Sequence, residues 1–99
     1  MITSAVQYGS QVAIYENGTP LGNVQISGGD FLGHSRNFLL VRYGNLYVTF
    51  NETNHQMGSV PLPADYTIQS ITDSGFVART GNLLIQYDMF CQQRGTTSV

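Results

Sequence analysis

The 99-residue chain has no lysine and no tryptophan, a single cysteine, three prolines and only 10% charged residues. One cysteine excludes an internal disulfide and a multi-cysteine metal site. No apolar run approaches the roughly 18 residues of a membrane span, and the N-terminus lacks a signal-peptide pattern. We therefore expect a soluble, cytoplasmic protein without membrane contact. The length and the 41% hydrophobic content predict one folded domain over residues 1–99.

The shortage of positive charge also bears on partners. Four arginines, at positions 36, 42, 79 and 94, are spread along a chain of net charge −2. Binding to nucleic acid depends on clustered cations that neutralise phosphates. The sequence therefore predicts no nucleic-acid partner.

Apolar residues alternate or occur in blocks of four to six without helical spacing, which predicts an all-β fold. We expect a small barrel or sandwich of about seven antiparallel strands. Turn signals such as Asn17-Gly18, Gly44-Asn45 and Gly81-Asn82 separate these strands. The predicted strands are 11–15, 21–27, 38–43, 46–51, 66–72, 76–80 and 83–90, with long connections at 28–37 and 51–65.

An internal repeat is the most informative feature of the sequence. The segments 40–50 and 77–87 share Arg, Gly, Asn and Leu at matching positions, with Arg42 and Arg79 separated by 37 positions. Weaker upstream matches include Asp30 with Asp65, each of which precedes an aromatic residue. We predict a duplicated hairpin unit, about 22–50 and 58–87, after an N-terminal hairpin that represents a degenerate third copy.

A two-residue Gly-Asn loop fixes which residues face each other in each repeated hairpin. In the first, the pairs Tyr43/Leu46, Val41/Val48 and Leu39/Phe50 form an apolar face. In the second, Thr80/Leu83, Ala78/Ile85 and Phe76/Tyr87 do the same. The opposite faces carry Arg42 beside Tyr47 and Arg79 beside Leu84, and we expect these faces to meet water.

Two resemblances bear on function. The runs GNLYVTF and GNLLIQYD resemble the repeats of bulb-type mannose-binding lectins, which carry Gln, Asp, Asn, Val and Tyr on one sugar-binding face. Here the Asp and Gln positions hold Tyr43 and Val41 in one repeat and Thr80 and Ala78 in the other, so the lectin site is not carried over. Residues 58–87 are similar to small β modules of pilus-assembly and type II secretion proteins. Neither family is assigned.

Few residues could support catalysis. The two histidines, His34 and His55, lie in the predicted long connections, near Asp30 and Asp65. They lack the HxH or HExxH spacing of a ligand set. We predict a protein that is not an enzyme and holds no metal or cofactor. A small-ligand or carbohydrate site at a mouth formed by 28–37 and 51–65 is the alternative function.

The main prediction is a non-catalytic binding or assembly module. Arg42 beside an exposed Tyr47, and the equivalent Arg79, resemble the Arg and Tyr residues that often anchor protein interfaces. We expect this surface to recognise a protein partner or a second copy of the chain as a homodimer.

Overall fold

The computed structural model describes residues 1–98, which form eleven β-strands in three antiparallel sheets. The first sheet has the order β1-β2-β3, the middle sheet β4-β5-β6-β7 and the last sheet β8-β9-β10-β11, so each is a simple meander. No helix in this part of the chain is long and apolar enough to cross a membrane. The strands are β1 (Ser4–Tyr8), β2 (Gln11–Glu16), β3 (Thr19–Gln25), β4 (Asp30–His34), β5 (Leu39–Tyr43), β6 (Leu46–Phe50), β7 (Gln56–Pro61), β8 (Thr67–Thr72), β9 (Gly75–Thr80), β10 (Leu83–Asp88) and β11 (Gln93–Ser98).

The three sheets are stacked as layers, because two separate apolar cores cover the two faces of the middle sheet. Leu39 and Val41 join Val12 and Ile14 of the first sheet in one core. Leu40 and Tyr47 join residues of the last sheet, including Phe76 and Ile85, in the other. A molecule of 40 × 25 × 17 Å fits this arrangement, since packed sheets lie about 10 Å apart. The fold is therefore all-β, as predicted, but it is not a closed barrel.

The predicted hairpin registers are confirmed. Tyr43 pairs with Leu46, Val41 with Val48 and Leu39 with Phe50 across β5 and β6. The β9–β10 hairpin has the predicted pairs from Thr80/Leu83 to Phe76/Tyr87. The predicted count of seven strands was too low, since β1, β4, β7 and β11 were not anticipated.

One predicted face was wrong. The side of the middle hairpin expected to meet water is a second core, in which Leu40 and Thr49 are fully buried and Tyr47 is 3% exposed. The last sheet covers this side, which a hairpin considered alone does not reveal. Arg42 still reaches solvent, with 42% of its side chain exposed.

The middle and last sheets have the same irregularities 37 positions apart. The β4–β5 ladder has a bulge between Phe31 and Gly33, and the β8–β9 ladder has one between Ile68 and Ser70. Bulges between Thr49/Phe50 and Gln86/Tyr87 correspond in the same way. The two meanders therefore interrupt their ladders at equivalent positions.

The loops that follow β6 and β10 are also equivalent. Asn51 Oδ1 accepts hydrogen bonds from the N–H groups of Thr53 and His55, and Asp88 Oδ1 accepts them from Phe90 and Gln92. Asn54 and Cys91 have positive φ angles of 66° and 62°. The correspondence therefore runs from 30–61 to 67–98, and the predicted unit limits 22–50 and 58–87 do not coincide with the sheets. At this spacing Asp30 corresponds to Thr67, two positions away from the predicted match with Asp65.

The first sheet repeats the core of this pattern with a spacing of 35. Gly9 opens the β1–β2 turn with a φ of 57°, as Gly44 and Gly81 open theirs with φ of 62° and 55°. A bulge between Ile14 and Tyr15 matches the one between Thr49 and Phe50. β1–β3 thus correspond to β5–β7, and the first sheet has no counterpart of β4.

Candidate functional site

A groove opens between the middle and last sheets, where the edge strands β4 and β8 approach each other. Its volume is about 470 Å³, within the range of roughly 300–1,000 Å³ typical of ligand sites. The lining combines aromatic, aliphatic and polar side chains. These residues are Leu32, Gly33, His34, Arg42, Tyr47, Tyr66, Thr67, Ile68, Gln69, Ser70 and Ile71.

Strand register brings the central groove residues together. Arg42 on β5 and Tyr47 on β6 are directly opposed, and both belong to the face that the last sheet covers. On the other side of Arg42, its partner across β4 is Asp30. Because directly opposed side chains lie about 4.5–5.5 Å apart at Cβ, the three form a row across the sheet.

An ion pair fixes the guanidinium at the groove. Arg42 Nη2 donates a hydrogen bond of 3.1 Å to Asp30 Oδ2. This hydrogen bond, with a smaller contribution from the nearby Tyr47, raises the pKa of Arg42 above its ordinary value. Asp30 remains 66% exposed, so its carboxylate keeps free acceptor positions, and the guanidinium has five N–H donors to share.

His34 and Tyr66 complete the polar lining. His34 ends β4, is half-buried, and has its Nδ1 3.0 Å from the carbonyl oxygen of Ser35. Tyr66 directly precedes β8, and its N–H donates to the carbonyl of Pro63 in the connection from β7. The signal that could have indicated Tyr66 and β8 as site residues was weak, because the β8 sequence TIQSIT contains no charged residue, histidine or cysteine.

Three other predicted site residues lie elsewhere. Arg79 occupies the outer face of the last sheet, where its Nε donates to the carbonyl of Gly81. His55 is exposed in the β6–β7 loop beside the Thr53 hydroxyl. Asp65 accepts a hydrogen bond of 2.8 Å from the Thr80 hydroxyl. Of the seven predicted positions, Arg42, Tyr47 and His34 share the groove, and Asp30 joins them through Arg42.

The two segments of the predicted mouth, 28–37 and 51–65, meet over only part of their length. These segments contain β4 and β7, which lie at opposite edges of the middle sheet. Their turns do meet at one end of the sheet, where Arg36, Asn37 and Glu52 line a smaller cavity around Met1. His34 and His55 do not line this cavity.

Residues 1–98 hold no cluster of three or more His, Cys, Asp or Glu side chains suited to a metal ion. Cys91 is buried against Thr49, and burial raises the pKa of its thiol, with Asp88 adding to this and the Thr49 hydrogen bonds opposing it. A protonated, buried thiol is a packing group rather than a nucleophile.

No protein-family model matches this chain, and neither a curated protein nor a solved structure matches it significantly. The inferences below therefore depend on the geometry of the molecule itself.

Proposed function

We propose that this protein is a non-catalytic binding module that holds a small, neutral, hydroxylated ligand, such as a sugar, in the groove between β4 and β8. The observation that carries this proposal is the Arg42–Asp30 pair at a groove lined by Tyr47 and Tyr66. It develops the alternative predicted from the sequence and moves the site from the two long segments to this groove.

The charges of the groove favour that ligand class. The carboxylate of Asp30 offsets the charge of Arg42, so an anion gains little from the pair and a cation is opposed by the guanidinium. A purely apolar ligand would desolvate both charges without replacing their hydrogen bonds. Hydroxyl groups both donate and accept, so they can bond to a guanidinium and a carboxylate at once. The partly exposed ring of Tyr66 supplies flat apolar surface beside them.

The main prediction from the sequence, a surface of Arg42 and Tyr47 that recognises a protein, has less support. Tyr47 is buried beneath the last sheet, so it cannot act as an exposed interface anchor. Recognition of a protein or of a second copy stays a prediction.

The proposal is tested by titrating the ¹⁵N-labelled protein with a panel of neutral mono- and disaccharides and polyols. We expect saturable shifts of the backbone signals of His34, Arg42 and Gln69, and no comparable shifts with sulfate or with a quaternary ammonium ion. Arg42→Gln should abolish the response, since it removes the ion pair with Asp30 and the five N–H donors of the guanidinium.

Arg79→Gln is the matched control. It makes the same chemical change at the equivalent hairpin position, on the outer face of the last sheet, and should leave binding unchanged. The proposal fails if no neutral hydroxylated ligand shifts the groove signals, if anions bind better, or if Arg79→Gln weakens binding as much as Arg42→Gln.

The predicted duplication also remains a proposal, with new limits. We infer that 30–61 and 67–98 are copies of one four-stranded unit and that 4–25 is a shorter copy. Two equivalent pairs of bulges and the matching loops 51–55 and 88–92 support this. Chance similarity of turns explains one shared loop, but not two further pairs of bulges at the same spacing.

A further inference from the structure

The two interfaces between sheets are built from equivalent faces. Each sheet has a downstream face, which points toward the last sheet of the stack, and an upstream face on its other side. The downstream faces hold Ala5, Val12 and Ile14 in the first sheet, Leu40, Tyr47 and Thr49 in the middle sheet, and Val77, Leu84 and Gln86 in the last. The upstream face holds Val6, Ala13 and Tyr15, then Val41, Val48 and Phe50, then Ala78, Ile85 and Tyr87. These positions correspond through the spacings of 35 and 37.

Within the molecule, a downstream face packs on the next upstream face twice. Val12 and Ile14 share a core with Val41, and Leu40 and Tyr47 share one with Ala78 and Ile85. The stack therefore propagates head to tail, with the same kind of contact repeated from layer to layer. Such an arrangement has no internal reason to end at three layers.

Both end faces retain apolar side chains at the surface. On the upstream face of the first sheet, Val6 is 44% and Tyr8 62% exposed. On the downstream face of the last sheet, Val77 and Leu84 are only partly covered. A cavity of about 450 Å³ opens beside Val77, Gln86 and Arg94 on this side.

We propose that the protein associates with itself head to tail, with the first sheet of one copy packing its upstream face on the downstream face of the last sheet of the next. The occupant that fits is a second copy, because the chain already makes this contact twice with equivalent residues. The contact is heterologous, since the two faces differ, so it leaves one free face at each end and produces a series of oligomers rather than a closed dimer.

The test uses two variants that each block one end. Val6→Glu places a charge on the upstream face of the first sheet, and Leu84→Glu places one on the downstream face of the last. Sedimentation equilibrium of the wild-type protein, from low to several hundred micromolar, should show dimers and larger species. Each variant alone should be monomeric, with affinity lowered at least about tenfold, which corresponds to 1.4 kcal/mol.

An equimolar mixture of the two variants distinguishes this arrangement from all others. Each variant keeps one intact face, so the mixture should form a 1:1 heterodimer that grows no further. Gln56→Glu adds the same charge at the edge of the middle sheet and should behave like wild type. Circular dichroism and thermal unfolding show that each variant is folded.

Three results would overturn the proposal. A wild-type protein that stays monomeric at the highest concentration removes it. A single discrete dimer that Leu84→Glu leaves intact would indicate a symmetric contact of two upstream faces instead. A mixture that stays monomeric, with both variants folded, would mean that the two faces do not bind each other.

Discussion

The middle and last hairpins have similar sequences and the same register, yet their arginine-bearing faces have opposite surroundings. Around Arg42, the neighbouring side chains Leu40 and Thr49 are fully buried. Around Arg79, Val77 is half-buried and Gln86 exposed. The last sheet covers the first face, and no further sheet of residues 1–98 covers the second. Position in the stack, rather than local pattern, therefore decides what each residue contributes.

The largest difference is expected between the residues opposite the two arginines. Tyr47→Ala should lower the free energy of unfolding by about 3–5 kcal/mol, because it empties space in the core between two sheets. Leu84→Ala, at the equivalent position on the open face, should cost about 1 kcal/mol or less. Urea denaturation followed by circular dichroism measures both, and equal losses would contradict the layered arrangement.

Two equivalent glycines offer the next comparison. A Cβ at Gly58 would collide with the backbone of Phe90 in the β10–β11 loop, whereas at Gly95 it would meet only the end of the flexible Gln86 side chain, at 3.1 Å. Gly58→Ala should therefore lower the free energy of unfolding by about 2–3 kcal/mol. Gly95→Ala should lower it by less than about 1 kcal/mol. Comparing their melting temperatures tests this, and a tolerated Gly58→Ala would mean that β7 and this loop are not in contact.

A smaller effect is expected from the buried hydroxyl of Thr49. Its Oγ1 donates a hydrogen bond of 2.6 Å to the carbonyl of Met89, so Thr49→Val leaves a buried acceptor without its partner and should cost about 1–2 kcal/mol. Gln86→Val, the equivalent change on the open face, should be neutral within about 0.5 kcal/mol. Chemical denaturation measures the free energy of unfolding of both variants. An unchanged value for Thr49→Val would show that water replaces the lost hydrogen bond.

The smallest effect concerns the two equivalent loops and depends on pH. Burial raises the pKa of Asp88, but hydrogen bonds from Gln92, Arg94 and Phe90 outweigh it and lower the pKa overall. The stability that this carboxylate provides is therefore complete above its pKa in the unfolded chain, and is lost as pH falls through the lower folded value. Asp88→Asn should be less stable than wild type at neutral pH, with the difference disappearing in acid.

Asn51→Asp is the counterpart in the β6–β7 loop, where Asn51 Oδ1 accepts the equivalent hydrogen bonds. A carboxylate can accept these bonds too, so this variant should fold with nearly unchanged stability at neutral pH. Unfolding curves across the acid range measure both variants. A constant gap between Asp88→Asn and wild type at every pH would contradict the role of the ionised carboxylate.

The strands that the sequence revealed differ from those it concealed by their place in the sheets. The sequence predicted all five strands that have a neighbour on each side, namely β2, β5, β6, β9 and β10. Of the six edge strands, it predicted only β3 and β8. The missed strands are short or polar, as in SAVQY and QRGTTS, or contain glycine, as in DFLGH. Edge strands pair on one side only and stay exposed, so they do not need the alternation that makes central strands recognisable.

The sequence likewise predicted only some residues of the candidate site. Arg42 and Tyr47 were identified as neighbours because register is local, and Asp30 and His34 were noticed as chemistry-bearing residues. Their convergence with Tyr66 was not foreseen, since it depends on β8 approaching β4 from another sheet. The sequence contains no periodic signal for contacts between stacked edges.

The amino-acid sequence by itself determined the all-β class, the Gly-Asn turns and the pairing of the two central hairpins, because turn geometry and the two-residue period of a strand act over a few residues. Only the tertiary structure decided which sheet is buried on both faces and that the chain stacks in three layers instead of closing on itself. It also decided that Arg42 borders a groove while Arg79 lies on an open face. Burial depends on what packs against a sheet, and that partner comes from a distant part of the chain.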